Sequence, residues 1–370
     1  MEQKNWYALD KPEEVISPSL LVYPERIEKN IQRMIGISGG VQFLRPHVKT
    51  HKMAEIIKMQ LKHGIYKFKC ATIAEAELLA QSGATDILLA VQPTGANIPR
   101  LFALMETYRQ AKFSAIVDSG QIIDQIATMA KLKEQVVSLW LDINNGMNRT
   151  GIVPGDKAFE LYRALVDSPQ LVAAGLHVYD GHIRDPDFSL RKEKCDTAFQ
   201  EVIQLKERLQ KAGMPVEHMV AGGSPSFEIH AARKNVETSP GTTLLWDRGY
   251  GGLFPEMQFL PAAVLMTRVI SKPRADYLCF DLGHKSVASE MPLPRVEFLN
   301  AGQYTQMGQS EEHLVVESPE ADTYAPGDIA YVVPKHICPT VAKYDSVLTV
   351  KEGKVTGRWK VAARDHKMLT

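Results

Sequence analysis

The sequence has few cysteines, no excess of charge of either sign and no long apolar run. Its four cysteines, at positions 70, 195, 279 and 338, are widely scattered, so we expect no disulfide framework and a reducing compartment. The 43 basic residues balance the 43 acidic ones, which argues against nucleic acid or another polyanion as a partner. A membrane-spanning run of about 18 apolar residues is lacking, and the amino terminus lacks the apolar core of a signal peptide. We therefore expect a cytoplasmic protein with no membrane partner.

Apolar runs rich in β-branched residues alternate with stretches of helical periodicity over the first two thirds of the chain. This alternation predicts a parallel sheet with helical crossovers, and eight such runs would close a TIM-type (β/α)8 barrel. The predicted strands are Val41–Val48, Lys67–Ala71, Asp86–Val91, Phe113–Val117, Val137–Ile143, Val172–Val178, His218–Ala221 and Val236–Ser239.

Beyond about residue 250 the apolar runs become short, alternating and bounded by turn residues. This pattern is typical of an all-β module, and Glu352-Gly353 predicts a hairpin turn between its last two strands. We therefore expect a barrel domain over residues 18–250 and a C-terminal all-β domain over residues 251–370, which the N-terminal residues 1–17 join.

Polar residues follow the predicted strands at the end where barrel enzymes place their chemistry. Because the carboxyl ends of the strands meet on one face of a barrel, these residues predict a single site. In strand order they are Lys49, His51, Thr72, Asn144–Arg149, His177, Tyr179, His182, Gly222-Gly223-Ser224 and Gly241-Thr242.

Two glycine turns predict a phosphate-binding cradle. Gly222-Gly223-Ser224 and Gly241-Thr242 follow neighbouring strands, where backbone N–H groups can approach an anion closely. A lysine at the end of the first strand, together with this cradle, indicates a phosphorylated aldehyde cofactor, and pyridoxal phosphate has that shape. Lys49 is nearest the strand end, and Lys52 remains an alternative that spacing does not exclude.

Three further signals have both a functional and a structural interpretation. Arg149, in the loop Asn145–Gly151, can bond the cofactor's phenolic oxygen or form a surface ion pair. Tyr179 can offer its ring and hydroxyl to the cofactor or pack in the core. His336 and Cys338 are two residues apart, so in a strand both would point to one side and could bind one cation. The alternative is that Cys338 is a small buried apolar residue.

Taken together, the motifs resemble the D-threonine aldolase and D-serine dehydratase family, which belongs to the fold type III pyridoxal-phosphate enzymes typified by alanine racemase. The motifs are RPHVKTHK, ATIAEAE, NNGMNRTG, YDGH, AGGSPS, SEEH and PKHICPT, spread from about Pro18 to Ala363. The resemblance implies a homodimer acting on a D-amino acid. It further implies a cofactor Schiff base on Lys49, with Arg149 at the ring oxygen and Tyr179 at the pyridine side. The phosphate contacts that it implies come from Gly222, Gly223, Ser224, Gly241 and Thr242. It also implies that His182 lies near the substrate hydroxyl and that His336 and Cys338 bind a divalent zinc or manganese ion.

The chain departs from the family pattern in one place, where Leu314 replaces the glycine after SEEH. Cys338 matches the zinc-dependent dehydratases, whereas some aldolases carry aspartate there. We favour an aldolase that cleaves D-threonine or D-allothreonine, with D-serine dehydratase as the alternative. A racemase is disfavoured because no tyrosine partner opposing Lys49 is found. A non-catalytic pyridoxal-phosphate carrier is disfavoured because such proteins generally lack the β-domain.

Overall fold

The computed structural model describes residues 5–366. The strands, β1 to β16 in chain order, are Ser19–Val22, Lys67–Cys70, Asp86–Leu89, Lys112–Val117, Val137–Ile143, Leu171–Val178, Met219–Ala221, Val236–Thr238, Ala263–Arg274, Tyr277–Phe280, Val296–Phe298, Thr305–Gln309, Leu314–Glu317, Ile329–Pro334, Ser346–Lys351 and Lys354–Lys360. The α-helices, α1 to α10, are Pro24–Ser38, Ala54–Lys62, Ile73–Gln81, Asn97–Thr107, Gly120–Leu132, Asp156–Asp167, Phe188–Lys211, Phe227–Ala231, Arg248–Leu253 and Ile337–Val341.

The chain forms two compact units, each built from several segments. The barrel unit consists chiefly of Arg33–Lys49 and Ala54–Gly241, and the β unit of the residues up to Gln32, Thr50–Met53 and Thr242–Arg364. The domain limits at residues 17, 250 and 251 stay a prediction, and their outer ends, 1–4 and 367–370, lie outside the described residues.

The barrel unit is a curled parallel sheet in which β2 to β8 pair in sequence order. The extended segment Leu44–His47 lies between β8 and β2 and is bridged to both, at Thr238 and at Lys69. Every residue of β5 is buried, as is usual for a parallel strand covered on both faces. The prediction of a parallel barrel followed by a separate β-rich unit is confirmed.

The first predicted strand, Val41–Val48, is wrong as a continuous strand. Short 3-10 turns at Val41–Phe43 and Val48–Thr50 flank the closing segment and leave it too short for a regular ladder. Gly40 opens the first turn with a φ of 147°, which favours glycine, and Pro46 has no N–H to donate to a neighbouring strand.

The β unit is built on a nine-stranded sheet. Its long strand β9 pairs antiparallel with β1, β10 and β14, and β1 also pairs parallel with β15. The predicted hairpin turn joins β15 to β16, and both Glu352 and Gly353 have positive φ, as a two-residue hairpin requires. Helices α9 and α10 make the unit mostly rather than entirely β. Within residues 5–366, no helix is long and apolar enough to cross a membrane.

Candidate functional site

The carboxyl ends of the barrel strands carry most of the predicted site residues. Lys49 is half-buried in the 3-10 turn that follows the closing segment, and Arg149 is exposed in the loop after β5. Tyr179 and His182 follow β6 directly. Gly222, Gly223 and Ser224 follow β7, and Gly241 follows β8.

The ring of Tyr179 is the point on which three cationic side chains converge. The Lys49 Nζ lies 5.7 Å from the ring centroid, the Lys69 Nζ lies 5.6 Å from it, and the Arg149 guanidinium carbon lies 4.8 Å from it. The ring also lies against Gly223, where an added Cβ would come within 2.8 Å of the Tyr179 Cε2. The structure thus brings Lys49, Arg149 and Tyr179 together, as the sequence-based site requires.

The glycine turn after β7 is packed closely against its surroundings. Gly222 has a φ of 73°, and a Cβ there would lie 2.7 Å from the His230 Cδ2. Its N–H donates to the Val178 carbonyl at 2.9 Å, which ties the turn to the end of β6. The Gly241 N–H donates to the Ser224 Oγ at 3.2 Å and links the β7 and β8 turns. Only glycine fits at Gly222, and the phosphate contacts expected of this turn stay a prediction.

A buried carboxylate behind the cradle, Asp180, was not predicted. Its oxygens accept a hydrogen bond from the Ser226 Oγ at 2.6 Å and pair with the His230 Nε2 at 2.7 Å. Ser226 in turn accepts the Gly223 N–H at 3.4 Å, so the network fixes the cradle from behind. Burial alone would raise the pKa of Asp180, but His230, Ser226 and Cys195 lower it to about 2. The sequence signal was the aspartate in HVYDGHI, directly after the strand.

Two buried side chains at this edge have polar atoms without a protein partner among the described residues. They are the amide Oδ1 and Nδ2 of Asn145, after β5, and the Oγ of Ser239, after β8. Asn145 is 8% exposed and Ser239 is 3% exposed. Because buried polar groups are nearly always hydrogen-bonded, these atoms indicate a polar ligand. Together with the glycine cradle and Lys49, they fit a phosphorylated aldehyde.

A row of buried polar side chains inside the barrel joins His177, one of the predicted site residues, to two residues that were missed, Lys69 and Asp142. The Lys69 Nζ lies 3.3 Å from the His177 Nε2, and the His177 Nδ1 lies 2.7 Å from the Asp142 Oδ1. Burial, and then the charge on Lys49, lowers the pKa of Lys69 to about 7, against the opposite effect of Asp142 and Asp180. The motif KFKC contained the signal, because a lysine inside a parallel strand has little chance of reaching water.

His182 lies at the rim of the same edge. Its ring is exposed, and its Nε2 would be 3.2 Å from a Cβ added to Gly146 in the loop after β5. An exposed imidazole at this edge is available to transfer a proton. Its catalytic role stays a prediction.

The predicted metal pair lies in the β unit, in a different local structure from the one expected. The expectation that His336 and Cys338 share a strand is wrong, because β14 ends at Pro334 and α10 begins at Ile337. His336 is the residue before the helix and Cys338 lies in its first turn. Their side chains nevertheless hydrogen-bond to each other.

The surroundings of this pair favour an imidazolium beside a thiolate, and a divalent ion bound there would replace the proton of the imidazolium. The His336 Nδ1 pairs with Glu290 at 2.5 Å, and the Cys338 Sγ lies 3.1 Å from the Thr50 Oγ1 and 3.6 Å from the Thr242 Oγ1. Burial alone would lower the pKa of His336, but Cys338 and Glu290 raise it to about 9. Burial alone would raise the pKa of Cys338, but His336 and Thr50 bring it below its ordinary value. Imidazole and thiolate are the ligands that zinc prefers, so the residues fit a divalent ion.

The hydroxyl of Thr242 thus lies beside Cys338. The predicted contact of Thr242 with the cofactor phosphate stays a prediction.

A second group of metal-binding residue types, Asp180, Cys195 and His230, is fully buried in the barrel unit. Their ligand atoms lie within 4.8 Å of one another. Asp180 and His230 already hydrogen-bond at 2.7 Å, and burial, followed by the charge of Asp180, raises the pKa of the Cys195 thiol. The group therefore acts in this structure as a hydrogen-bond network that supports the glycine cradle.

Fold and site together define the class of the protein. A parallel barrel with a lysine and a glycine cradle at the carboxyl ends of its strands, followed by a mostly-β unit, is the alanine racemase-like architecture. The chain belongs to the family described as "Alanine racemase, N-terminal domain", whose profile matches residues 22–248. Residues 262–350 match a second profile, "Putative serine dehydratase domain".

Similar proteins of known name include aldolases and also a dehydratase, the D-threo-3-hydroxyaspartate dehydratase of Delftia sp. strain HT23, which is 25% identical over 89% of this chain and 92% of the relative. The chain is 27% identical to a D-threonine aldolase of an Arthrobacter species, over 95% of this chain and 93% of the relative. It is 28% identical to the 3-hydroxy-D-aspartate aldolase of Paracoccus denitrificans strain Pd 1222, over 95% and 92% of the two chains. The crystal structure of D-threonine aldolase from Filomicrobium marinum matches with a TM-score of 0.86 and 26% identity, over 95% and 96% of the chains.

Proposed function

We propose that this protein is a pyridoxal-phosphate- and metal-dependent lyase that cleaves D-3-hydroxy amino acids, converting D-threonine or D-allothreonine to glycine and acetaldehyde. The observation that carries the proposal is the similarity to two aldolases along nearly the full length of both chains, barrel and β unit included. By the same resemblance we propose a cytoplasmic homodimer.

In this proposal the residues predicted from the sequence hold the cofactor. Lys49 would hold it at its aldehyde, Arg149 at its phenolic oxygen, and Tyr179 at its pyridine side. The cradle residues Gly222, Gly223, Ser224, Gly241 and Thr242 hold its phosphate. When bound, pyridoxal phosphate supplies an electron-withdrawing ring that weakens the bonds to the α-carbon of an attached amino acid. The convergence of Lys49 and Arg149 on the Tyr179 ring supports this assignment.

The β unit holds a divalent metal ion, zinc or manganese, on His336 and Cys338. Such an ion lowers the pKa of a hydroxyl bound to it, which prepares the β-hydroxyl of the substrate for loss of its proton. The hydrogen bonds of Cys338 to Thr50 and of His336 to Glu290 orient the two ligands, as partners of metal ligands commonly do.

His182 would accept the β-hydroxyl proton. The bond between the α- and β-carbons would then break as the hydroxyl oxygen forms the carbonyl of acetaldehyde, and the α-carbon would take up a proton to give glycine. We therefore expect His182→Ala to reduce aldol cleavage about 10²- to 10⁴-fold, the usual contribution of a general base, with cofactor binding unchanged. His218, an exposed histidine next to β7, offers a matched control, and His218→Ala should keep wild-type activity. An active His182→Ala protein would remove this histidine from the reaction.

D-serine dehydratase is the second candidate, and the match of residues 262–350 to the serine dehydratase profile favours it. In that reaction the α-carbon loses its proton to the Lys49 amine and the β-carbon loses hydroxide, so that pyruvate and ammonia form. The two reactions share the cofactor and the metal. They differ in which bond of the substrate breaks.

Product analysis tests the proposal. The purified protein is incubated with D-threonine, D-allothreonine, D-serine and L-threonine, with and without a chelator, and glycine, acetaldehyde, pyruvate and ammonia are measured. We expect glycine and acetaldehyde from both D-threonine epimers, none from L-threonine, and loss of turnover with chelator. Pyruvate and ammonia from D-serine, with no glycine from any D-substrate, would replace the aldolase with the dehydratase.

A further inference from the structure

The interior of the barrel contains a polar chain where packing alone would favour apolar residues. Lys69 on β2, Asp142 on β5 and His177 on β6 are 2%, 3% and 4% exposed. The interior of such barrels is normally filled by layers of branched apolar side chains. Replacing buried charged groups by apolar ones is often neutral or stabilising, so a gain in stability does not explain why Lys69, Asp142 and His177 are buried here.

In this row of polar side chains, each hydrogen bond is donated towards Asp142, from Lys69 to His177 and from His177 to Asp142. The carboxylate of Asp142 accepts the Nδ1–H of His177 at 2.7 Å, which leaves the His177 Nε2 as an acceptor. The Lys69 amine donates to that Nε2 at 3.3 Å. Burial and the charge of Lys69 lower the pKa of His177, which is consistent with a neutral ring. Asp142 and His177 therefore hold the amine in position through one N–H.

The amine of Lys69 also lies near the ring of Tyr179, in the proposed cofactor site. The Lys69 Nζ is 5.6 Å from the centroid of the Tyr179 ring, nearly the distance of the Lys49 Nζ, which is 5.7 Å. The charged groups around Lys69 are Arg45 from the closing segment, Lys49 from the 3-10 turn after it, Asp142 from β5 and Asp180 after β6. Two positive and two negative neighbours leave burial as the dominant influence, and the pKa of about 7 lets the amine exist in both forms near neutrality.

We propose that Lys69 is a second amine of the cofactor site, positioned by His177 and Asp142, which takes up and returns a proton beside Lys49. The Lys49 ammonium must lose a proton before its nitrogen can attack an aldehyde. In this step the N–H bond of Lys49 breaks, its electron pair stays on Lys49, and the proton forms an ammonium on Lys69. Nothing is oxidised or reduced. The inference rests on the proposed function, because it takes Lys49 as the residue that bonds the cofactor.

The test is a pH titration of the visible absorption of the cofactor-loaded protein. The wild-type band should change with a midpoint near pH 7, because the charge on Lys69 acts on the bond between Lys49 and the cofactor. In Lys69→Met the step should vanish or move by about one pH unit or more, the effect expected of removing a nearby charge. In Lys69→Arg, which stays charged, the step near pH 7 should be absent.

Variants of His177 test the positioning. The amide of His177→Gln can still donate to Asp142 and accept from Lys69, so this variant should keep the step, whereas His177→Leu should shift it. Lys112→Met changes an exposed lysine at the start of the neighbouring strand β4 and is the matched control. It should titrate as the wild type does.

The outcomes separate this inference from the proposed function. A wild-type band that does not titrate near pH 7, or an unchanged step in Lys69→Met and His177→Leu, overturns the role of Lys69 while the cofactor assignment stands. If borohydride fixes no cofactor on Lys49 in the wild type, the proposed function itself is wrong. If Lys69→Met fails to fold, Lys69→Arg and His177→Gln still test the role of Lys69.

Discussion

Lys69 should make the protein less stable at neutral and acid pH than an apolar residue would. Its side chain is 2% exposed, and its amine is hydrogen-bonded to the His177 Nε2. Burial and the charge on Lys49 lower its pKa from 10.5 to about 7. At 1.36 kcal/mol for each pKa unit, this difference corresponds to an upper limit on the order of 5 kcal/mol.

The direction of the pH dependence follows from proton binding. Between pH 7 and pH 10.5 the unfolded chain holds a proton on Lys69 that the folded chain lacks, so the free energy of unfolding rises with pH across this window. The destabilisation is greatest below pH 7 and is gone above pH 10.5. Methionine has a similar length and no charge, so Lys69→Met should be more stable than the wild type by a few kcal/mol at pH 6, roughly, and its advantage should shrink towards pH 10.

Urea unfolding of both proteins from pH 6 to pH 10 provides the assay. Trp140 lies on β5 and is the tryptophan of the barrel unit, so its fluorescence reports on the unfolding of this unit. Replacing Trp6, Trp246 and Trp359 with Phe in both proteins isolates this signal. Lys112→Met, the control at an exposed position of β4, should change the free energy of unfolding by less than about 0.5 kcal/mol. A Lys69→Met protein less stable than the wild type at pH 6, or with the same advantage at every pH, would refute the reasoning.

Three further predictions concern the site. In Gly223→Ala the new Cβ would lie 2.8 Å from the Tyr179 Cε2, so the ring must move. Titration of the visible band should then show cofactor affinity reduced about tenfold or more, which corresponds to about 1.4 kcal/mol per tenfold. Unchanged affinity would show that the ring does not position the cofactor. Asp180→Asn leaves His230 and Ser226 without their charged partner and should lower the free energy of unfolding by about 3 kcal/mol at pH 7. Because the pKa of Asp180 is about 2, this contribution is present above pH 4, roughly, and is lost as the pH falls through 2, so acid titration of the two proteins checks the sign. Cys338→Ala should lose the bound metal on dialysis, as measured by elemental analysis, and should keep the visible band. Full metal content in this variant would show that the ion binds elsewhere.

The parts of the fold that the sequence predicted well are those whose pattern has one physical meaning. The run Val137–Ile143 matches β5 at both ends, because most of its residues are apolar, as in a parallel strand buried on both faces, although Ser138 and Asp142 interrupt it. The run Val41–Val48 failed as a strand because apolar content does not reveal the positive φ of Gly40 or the missing donor of Pro46.

The site shows the same limit. Proximity of His336 to Cys338 was predictable from their spacing, but the end of β14 at Pro334 and the start of α10 at Ile337 were not, because a two-residue spacing fits both a strand and a helix start. Lys69 was missed because the alternation in KFKC resembles a solvent-facing strand. In the folded barrel that face is the interior, and only the closed sheet shows that Lys69, His177 and Asp142 meet there.

The most direct test of the account is the site of cofactor attachment. The purified protein is reduced with borohydride, digested, and searched by mass spectrometry for a lysine that carries the reduced cofactor. The account predicts a yellow protein that loses its colour on reduction, with the label on Lys49 and no label in Lys49→Ala. A label on Lys52 or Lys69, or a wild-type protein that carries no label, would contradict it.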